Sequence, residues 1–275
     1  MVRGLDRFKE YFAGFEGNYV LIGGAASYLV EEENRLLPRA TKDLDIILVV
    51  EALTSSFVKR FWQFIRDAGY RHHQKGTGNT EFYRFYQPSD INYPAQIELL
   101  SRKPDLIELP EDIVIGPIPV GENLSSLSAI MLNDEYYHFT IANSIIVDGI
   151  HIANNIALIP LKAKAYINLT QAREDGQSIN SADITKHKND VIRLGLTLDP
   201  EIRVSLPDSI HQDMVTFFEI VRDKLPQDDF MVRIGARGTH INTELPSFDT
   251  SGQILHDTHI DNLSALCASI HSSLQ

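Results

Sequence analysis

Apolar residues recur with helical spacing at Leu5, Phe8, Tyr11 and Phe12, which predicts a short helix over residues 3–14. The unbroken apolar run Tyr19-Val20-Leu21-Ile22 reads as a buried strand that ends on Gly23-Gly24. Behind the glycines, Ala25 to Val30 followed by Glu31, Glu32 and Glu33 predicts a helix. A basic, proline-marked loop (Arg35, Pro38, Arg39) leads into a strand from Leu44 to Val50 with acids at its start. Phe57, Phe61, Phe64 and Ile65 predict a helix over 54–68, stopped by Gly69. Residues 80–87 and 95–101 alternate or run apolar as strands do, and strand-like pieces follow near 112–120, 135–141 and 144–152. The period changes near Pro160: residues 160–174, 182–194, 207–224 and 259–273 read as helices, and 225–257 is irregular. The expected class is therefore α+β, with a mixed β-sheet flanked by helices over residues 1–155 and a helical domain over 156–275.

Composition narrows the class without naming a function. The chain has 275 residues, 43% hydrophobic and 23% charged, enough for a core, which excludes collagen-like, disordered and disulfide-stapled proteins. One cysteine, Cys267, cannot form an intramolecular disulfide, and the start, MVRGLDRFKEYF, lacks an apolar signal core. No apolar run approaches the roughly 18–20 residues that span a bilayer. The expectation is a cytoplasmic protein with no membrane partner. A net charge of −12 argues against broad nucleic-acid coating but leaves a local basic groove open. The best basic-aromatic patch is 71–84 (Arg71, His72, His73, Lys75, Arg84), where a solvated hairpin tip is the competing reading. The ten histidines show no His-Glu-x-x-His spacing, so a histidine-based metal hydrolase is set aside.

Three features of the first half carry chemistry. At Ile22-Gly23-Gly24-Ala25-Ala26-Ser27 a strand turns into a helix whose first N–H groups point outward, a setting suited to phosphate, although a plain tight turn has the same pattern. In Lys42-Asp43-Leu44-Asp45-Ile46, Asp43 and Asp45 share one face of a strand, with Cα atoms about 6–7 Å apart. Paired carboxylates repel unless a cation lies between them, and magnesium is the hard, phosphate-sharing cation that suits them. A solvated strand edge is the alternative, set against the apolar Ile46 to Val50 directly behind. Glu98, alone in the apolar Gln96-Ile97-Glu98-Leu99-Leu100, needs a metal or a basic partner if buried, or else an outward-facing position.

In order and placement, these residues resemble the nucleotidyltransferase fold of the DNA polymerase beta superfamily: a strand-Gly-Gly-helix element, an Asp-x-Asp strand, then a third acidic strand. The interval from Gly24 to Asp43 is longer than in compact members, and its residues, Arg35 and Arg39 among them, are expected to form a loop over the site. In the second half, Leu158, Leu161, Ala165, Leu169 and Ala172 form a helical stripe. Lys162 lies about 60° from its centre and Lys164 about 100°. Asp183, His187 and Asp190 share a stripe on a later helix, where Lys186 and Asp190 can also pair on the surface. Leu158, Lys162 and Ala165, with Lys186 and Asp190, resemble the AbiEii-type nucleotidyltransferases, the toxin-like branch found in toxin–antitoxin and phage-defence systems. His187 stands where many of those relatives carry an acid.

The resemblance implies magnesium-dependent transfer of an NMP group from an NTP, with two metal ions held by Asp43, Asp45 and Glu98. It implies nucleotide contacts from Gly23, Gly24, Ser27, Lys162 and Asp190, with Lys162 as a catalytic cation and Asp190 orienting it or touching the nucleotide. The acceptor stays open between a tRNA 3′ end, a protein hydroxyl and a small molecule, and a cognate antitoxin protein is an implied partner. The competing class is a degenerate module of the same fold that binds a nucleotide or partner without turnover. Arg233, Arg237 and His240, in a glycine-containing loop, are candidates for an acceptor groove.

Overall fold

In the computed structural model, which describes residues 1–76, 81–101, 116–117, 130, 133–199 and 203–222, the first half follows the expected alternation. It runs α1 (Leu5–Phe12), β1 (Tyr19–Ile22), α2 (Gly23–Glu33), β2 (Asp43–Leu48), α3 (Ser55–Ala68), β3 (Arg71–Gly76), β4 (Glu81–Tyr86) and β5 (Gln96–Ser101). Then come β6 (Gly116–Pro117), α4 (Asp134–Ala142), β7 (Ser144–Val147), β8 (Ile150–Ala153), α5 (Asn155–Glu174), α6 (Ser181–Gly195) and α7 (Asp208–Arg222). The strands form one mixed sheet in the order β6-β3-β4-β5-β2-β1-β8-β7. β2 runs antiparallel to β1 and parallel to β5, and β4 is antiparallel to both β3 and β5. The class is α+β, a mixed sheet with flanking helices followed by further helices, as expected.

The alternation along the central strands decides what each face of the sheet does. Leu44 on β2, Ile97 on β5 and Phe85 on β4 are consecutive partners across the sheet, and all three are fully buried. Phe85 lies 5.8 Å from Phe61 and 5.9 Å from Trp62 on α3, so α3 covers that face. Phe8 and Phe12 of α1 join the same cluster, with Phe8 5.9 Å and Phe12 5.4 Å from Phe64. Truncating a fully buried phenylalanine such as Phe64 to alanine costs about 3–5 kcal/mol. At the next register position across the three strands the side chains point to the opposite face, and these are Asp45, Glu98 and Arg84.

Helix α3 starts and stops where its sequence signals stand. Thr54 accepts a hydrogen bond from the Phe57 N–H, and Gly69 closes the helix at φ 62°. Three expectations need correction. Residues 135–141, read as a strand, are helix α4. The Asn133 side chain accepts from the N–H groups of Glu135 and Tyr136, and Tyr136, Tyr137 and Thr140 are buried along one helical face. Helix α5 begins before Pro160, because Asn154 accepts from the Ala157 N–H and starts the helix there, leaving the proline in its interior. Residues 71–76, a polar stretch read as part of a hairpin tip, form strand β3 and pair with β4 over six positions. Strand-like 144–152 is a hairpin, β7 and β8, turning through Asp148 and Gly149, both at positive φ.

The described residues divide into two compact units, one containing residues 1–29 and 39–157, the other 30–38 and those from 158 onward. The first unit holds the sheet with α1, α3 and α4. In the second, Tyr166 packs against Phe217 at 5.4 Å and Lys164 pairs with Asp213 at 2.7 Å. There Arg193 donates to Glu31 and, at 2.5 Å, to the Leu37 carbonyl, tying α6 to residues 31–37. No helix among the described residues is long and apolar enough to cross a membrane. The expected helix 259–273, the irregular stretch 225–257, Arg233, Arg237, His240 and Cys267 lie outside the described residues, as does most of 112–120.

Candidate active site

Strand β2 delivers the two aspartates. Leu44 and Ile46 are buried at 0% and 2% exposure, which anchors the strand and forces Asp43 and Asp45 out together on the other face. Asp45 is paired with Ile22 at the end of β1, so its side chain arises beside the strand-to-helix junction. That junction is fitted to it. Gly23 stands at φ +67°, and a Cβ there would lie 1.8 Å from Asp45 Oδ2, so any larger side chain would force the carboxylate out of its place. Gly24 is less constrained, since its Cβ would meet Thr41 Oγ1 at 3.0 Å. Gly23 is the first residue of α2, so the Asp45 carboxylate lies at the helix start, where the partial positive charge of the helix favours an anion.

Ser27 is turned inward: its hydroxyl donates to the Gly23 carbonyl at 2.8 Å, and the residue is 5% exposed. The bond closes the first turn of α2 on itself. Near Asp43, Tyr70 donates to the Pro94 carbonyl at 2.6 Å. Burial pushes the Tyr70 phenol above its ordinary value of 10.0, opposed by the charge of Arg3 and reinforced by Tyr93 and Asp43.

Glu98 occupies the position directly beside Asp45 on the parallel strand β5. Its Oε1, however, is taken up by β4 and by its own strand. Arg84 Nε donates to it at 3.1 Å, Arg84 also reaches it through a terminal guanidinium nitrogen at 3.0 Å, and Gln96 Nε2 donates at 3.0 Å. Both ends of the pair are largely enclosed, at 17% and 11% side-chain exposure. Among the described residues no three His, Cys, Asp or Glu side chains stand close enough to hold one metal ion. Asp43 and Asp45, on one face of β2, carry the hard oxygen donors that suit a divalent cation.

Sequence reasoning missed Arg84 as the partner of Glu98. The signal lies in the requirement that an acid in an apolar strand find a cation, and it becomes specific only once β4 is known to lie antiparallel to β5.

In the second unit, Lys162 and Asp190 meet. Lys162 Nζ donates to Asp190 Oδ2 at 2.9 Å, with side-chain exposures of 1% and 6%. The lysine stem leaves the α5 stripe among Leu158, Leu161 and Ala165, all fully buried, and α6 supplies the carboxylate 28 residues later. His187, one turn before Asp190, is also buried.

No protein-family model matches the chain, and no curated protein sequence matches it. Among solved structures, the chain is similar to the crystal structure of an antigenic nucleotidyltransferase-like protein from Paracoccidioides brasiliensis. The match covers 79% of this chain and 90% of that one, at 12% identity and a TM-score of 0.38.

Proposed function

We propose that this chain is a nucleotidyltransferase of the DNA polymerase beta superfamily, which moves an NMP group from an NTP to an acceptor hydroxyl. One observation carries the reading: Asp43 and Asp45 project from one face of β2 while Gly23, at the start of α2, makes room for the Asp45 carboxylate. A plain turn between strand and helix has no need of so close an approach. Asp43 and Asp45 hold magnesium, and the N–H groups at the start of α2 receive the triphosphate. When bound, magnesium neutralises phosphate charge and lowers the pKa of the attacking hydroxyl. The acceptor hydroxyl releases its proton to water, its oxygen bonds to the α-phosphorus, the bond from that phosphorus to the bridging oxygen breaks, and pyrophosphate departs.

Within this reading, assignment to the AbiEii-type branch, with a toxin role and a cognate antitoxin, rests on Leu158, Lys162, Ala165, Lys186 and Asp190. The buried ammonium of Lys162 and its Asp190 partner support a specific role for this pair better than a surface pairing of Lys186 with Asp190 does. A tRNA 3′ end, a protein hydroxyl and a small molecule stay in contention as acceptors.

The test incubates the protein and its Asp43→Asn, Asp45→Asn double variant with each α-labelled NTP, magnesium and cell extract. Label transferred by the wild type and lost in the variant supports the reading. Equal transfer by both refutes it. The second reading, a degenerate nucleotide- or partner-binding module, is favoured by the engagement of Glu98 with Arg84. It expects NTP binding that the double variant loses, with no label transferred by either protein.

A further inference from the structure

Helices α5 and α6 pack through apolar side chains over only part of their length. Leu158, Leu161 and Ala165 on α5, with Val191 and Leu194 on α6, are fully buried. Toward the turn that joins the two helices the pattern changes. Tyr166, Thr170 and Arg173 stand at i, i+4 and i+7 on α5, and Ser181, Thr185 and Lys188 at i, i+4 and i+7 on α6. Both rows line one cavity of about 470 Å³, a volume within the range of small-molecule sites. A helix pair closed for stability alone carries apolar residues in such rows.

Tyr166 points to a ligand. It is 5% exposed, its ring is held edge-on by Phe217 at 5.4 Å, and it lines the cavity with its phenol hydrogen-bonded to none of the described residues. Buried polar groups are nearly always paired, so a rigidly held phenol open to a cavity stands ready for a partner from outside the chain. Arg173 brings a guanidinium to the same cavity, and among the described residues its side chain has no ion pair or hydrogen bond. Glu174, beside it, adds a carboxylate to the lining.

We propose that this cavity binds a sugar phosphate. The planar fork of Arg173 takes the phosphate oxygens, and the hydroxyls of Tyr166, Ser181 and Thr185 donate to phosphate and sugar oxygens. The Glu174 carboxylate accepts from the sugar hydroxyls and disfavours a ligand that is anionic throughout. A free sugar phosphate and the ribose phosphate of a mononucleotide share this chemistry. The site uses none of Gly23, Asp43 and Asp45, so it stands whether or not the chain transfers nucleotides.

Calorimetric titration of the full chain with ribose 5-phosphate, AMP, ribose and inorganic phosphate, without magnesium, tests the proposal. Ribose 5-phosphate or AMP is expected to bind with a dissociation constant below about 1 mM, and the tighter of the two identifies the source. Arg173→Gln, at an exposed position, is expected to weaken binding about 10-fold or more. Tyr166→Phe keeps the ring on Phe217 and is expected to weaken it about 3-fold or more. The Asp43→Asn, Asp45→Asn double variant is expected to bind as the wild type does. Loss of binding there would place the ligand on the aspartates and overturn the proposal. Ribose binding as tightly as its phosphate would overturn the role of Arg173, and inorganic phosphate binding as tightly would overturn the role of the sugar. Neither ester binding to the wild type, or unchanged affinity in both variants with wild-type circular dichroism, would overturn the cavity as a site.

Discussion

A methyl group at residue 23 tests whether the Gly23–Asp45 contact positions the chemistry. In Gly23→Ala the new Cβ falls 1.8 Å from Asp45 Oδ2, against roughly 3.5 Å for ordinary contact, so the carboxylate must move by about 1.7 Å. A displacement of about 1 Å from productive geometry costs on the order of 10²-fold in rate, so transfer is expected to fall at least that far. The substitution also places a non-glycine residue at φ +67°, at about 1–2 kcal/mol. Gly14→Ala separates the two effects. Gly14 stands at φ +84° with nothing within 4 Å of its Cβ, so it carries the backbone penalty without the clash. Both variants are expected to lose about 1–2 kcal/mol of stability in urea unfolding, with Gly23→Ala the worse. Magnesium-dependent NTP binding by calorimetry, and transfer of labelled nucleotide, are expected to fall only in Gly23→Ala. Wild-type binding and transfer in Gly23→Ala would refute the reasoning, since a carboxylate with that much slack is not held for catalysis.

Three further outcomes follow from pairs and burial elsewhere. Lys162→Met takes the ammonium from Asp190, 4% exposed, and is expected to cost about 3–5 kcal/mol; adding Asp190→Leu is expected to recover most of that loss in urea unfolding. Arg193→Ala does the same to Glu31, 3% exposed, and is expected to lower the midpoint of thermal unfolding by several degrees. The folded-state pKa of Tyr70 is raised, so its contribution is intact below the unfolded value near 10.0 and is lost as pH rises toward the folded value. Stability should therefore decline above pH 10 by up to about 1.4 kcal/mol per pH unit for this group, and Tyr70→Phe should flatten that decline in unfolding titrations.

The elements legible in the chain are those whose signals are local. Helix α3 carries its cap, its apolar stripe and its terminating glycine within Thr54 to Gly69, and the strand-Gly-Gly-helix junction lies within Tyr19 to Ser27. Helix α4 misled because Tyr136, Tyr137, Phe139 and Thr140 favour strands by type, while the deciding feature, the Asn133 cap with acids behind it, is a single residue. Strand β3 misled in the opposite direction: Arg71 to Lys75 are polar, and their extended form comes from pairing with β4. The grouping of residues 30–38 with the helical unit depends on contacts such as Arg193 with Glu31 and Leu37, more than 150 residues apart, which no local pattern contains.

The same distinction separates the parts of the candidate site. Asp43 and Asp45 are two apart on one strand, so period-two alternation alone puts them on one face, and the buried Leu44 and Ile46 select which face that is. Glu98 is different, because its chemistry depends on which side chain stands next to it on the neighbouring strand. Alternation places Glu98 on the same face as Asp45, which invites a shared cation; it is silent on the register that brings Arg84 to the other side. An acid flanked by an aspartate on one strand and an arginine on the next has two available partners. The hydrogen bonds from Arg84 and Gln96 engage one oxygen, Oε1, of Glu98. Reading a ligand set from an ordered series of acids therefore requires the register of every strand that borders them, because a cation supplied by the fold orients a carboxylate as much as a metal does.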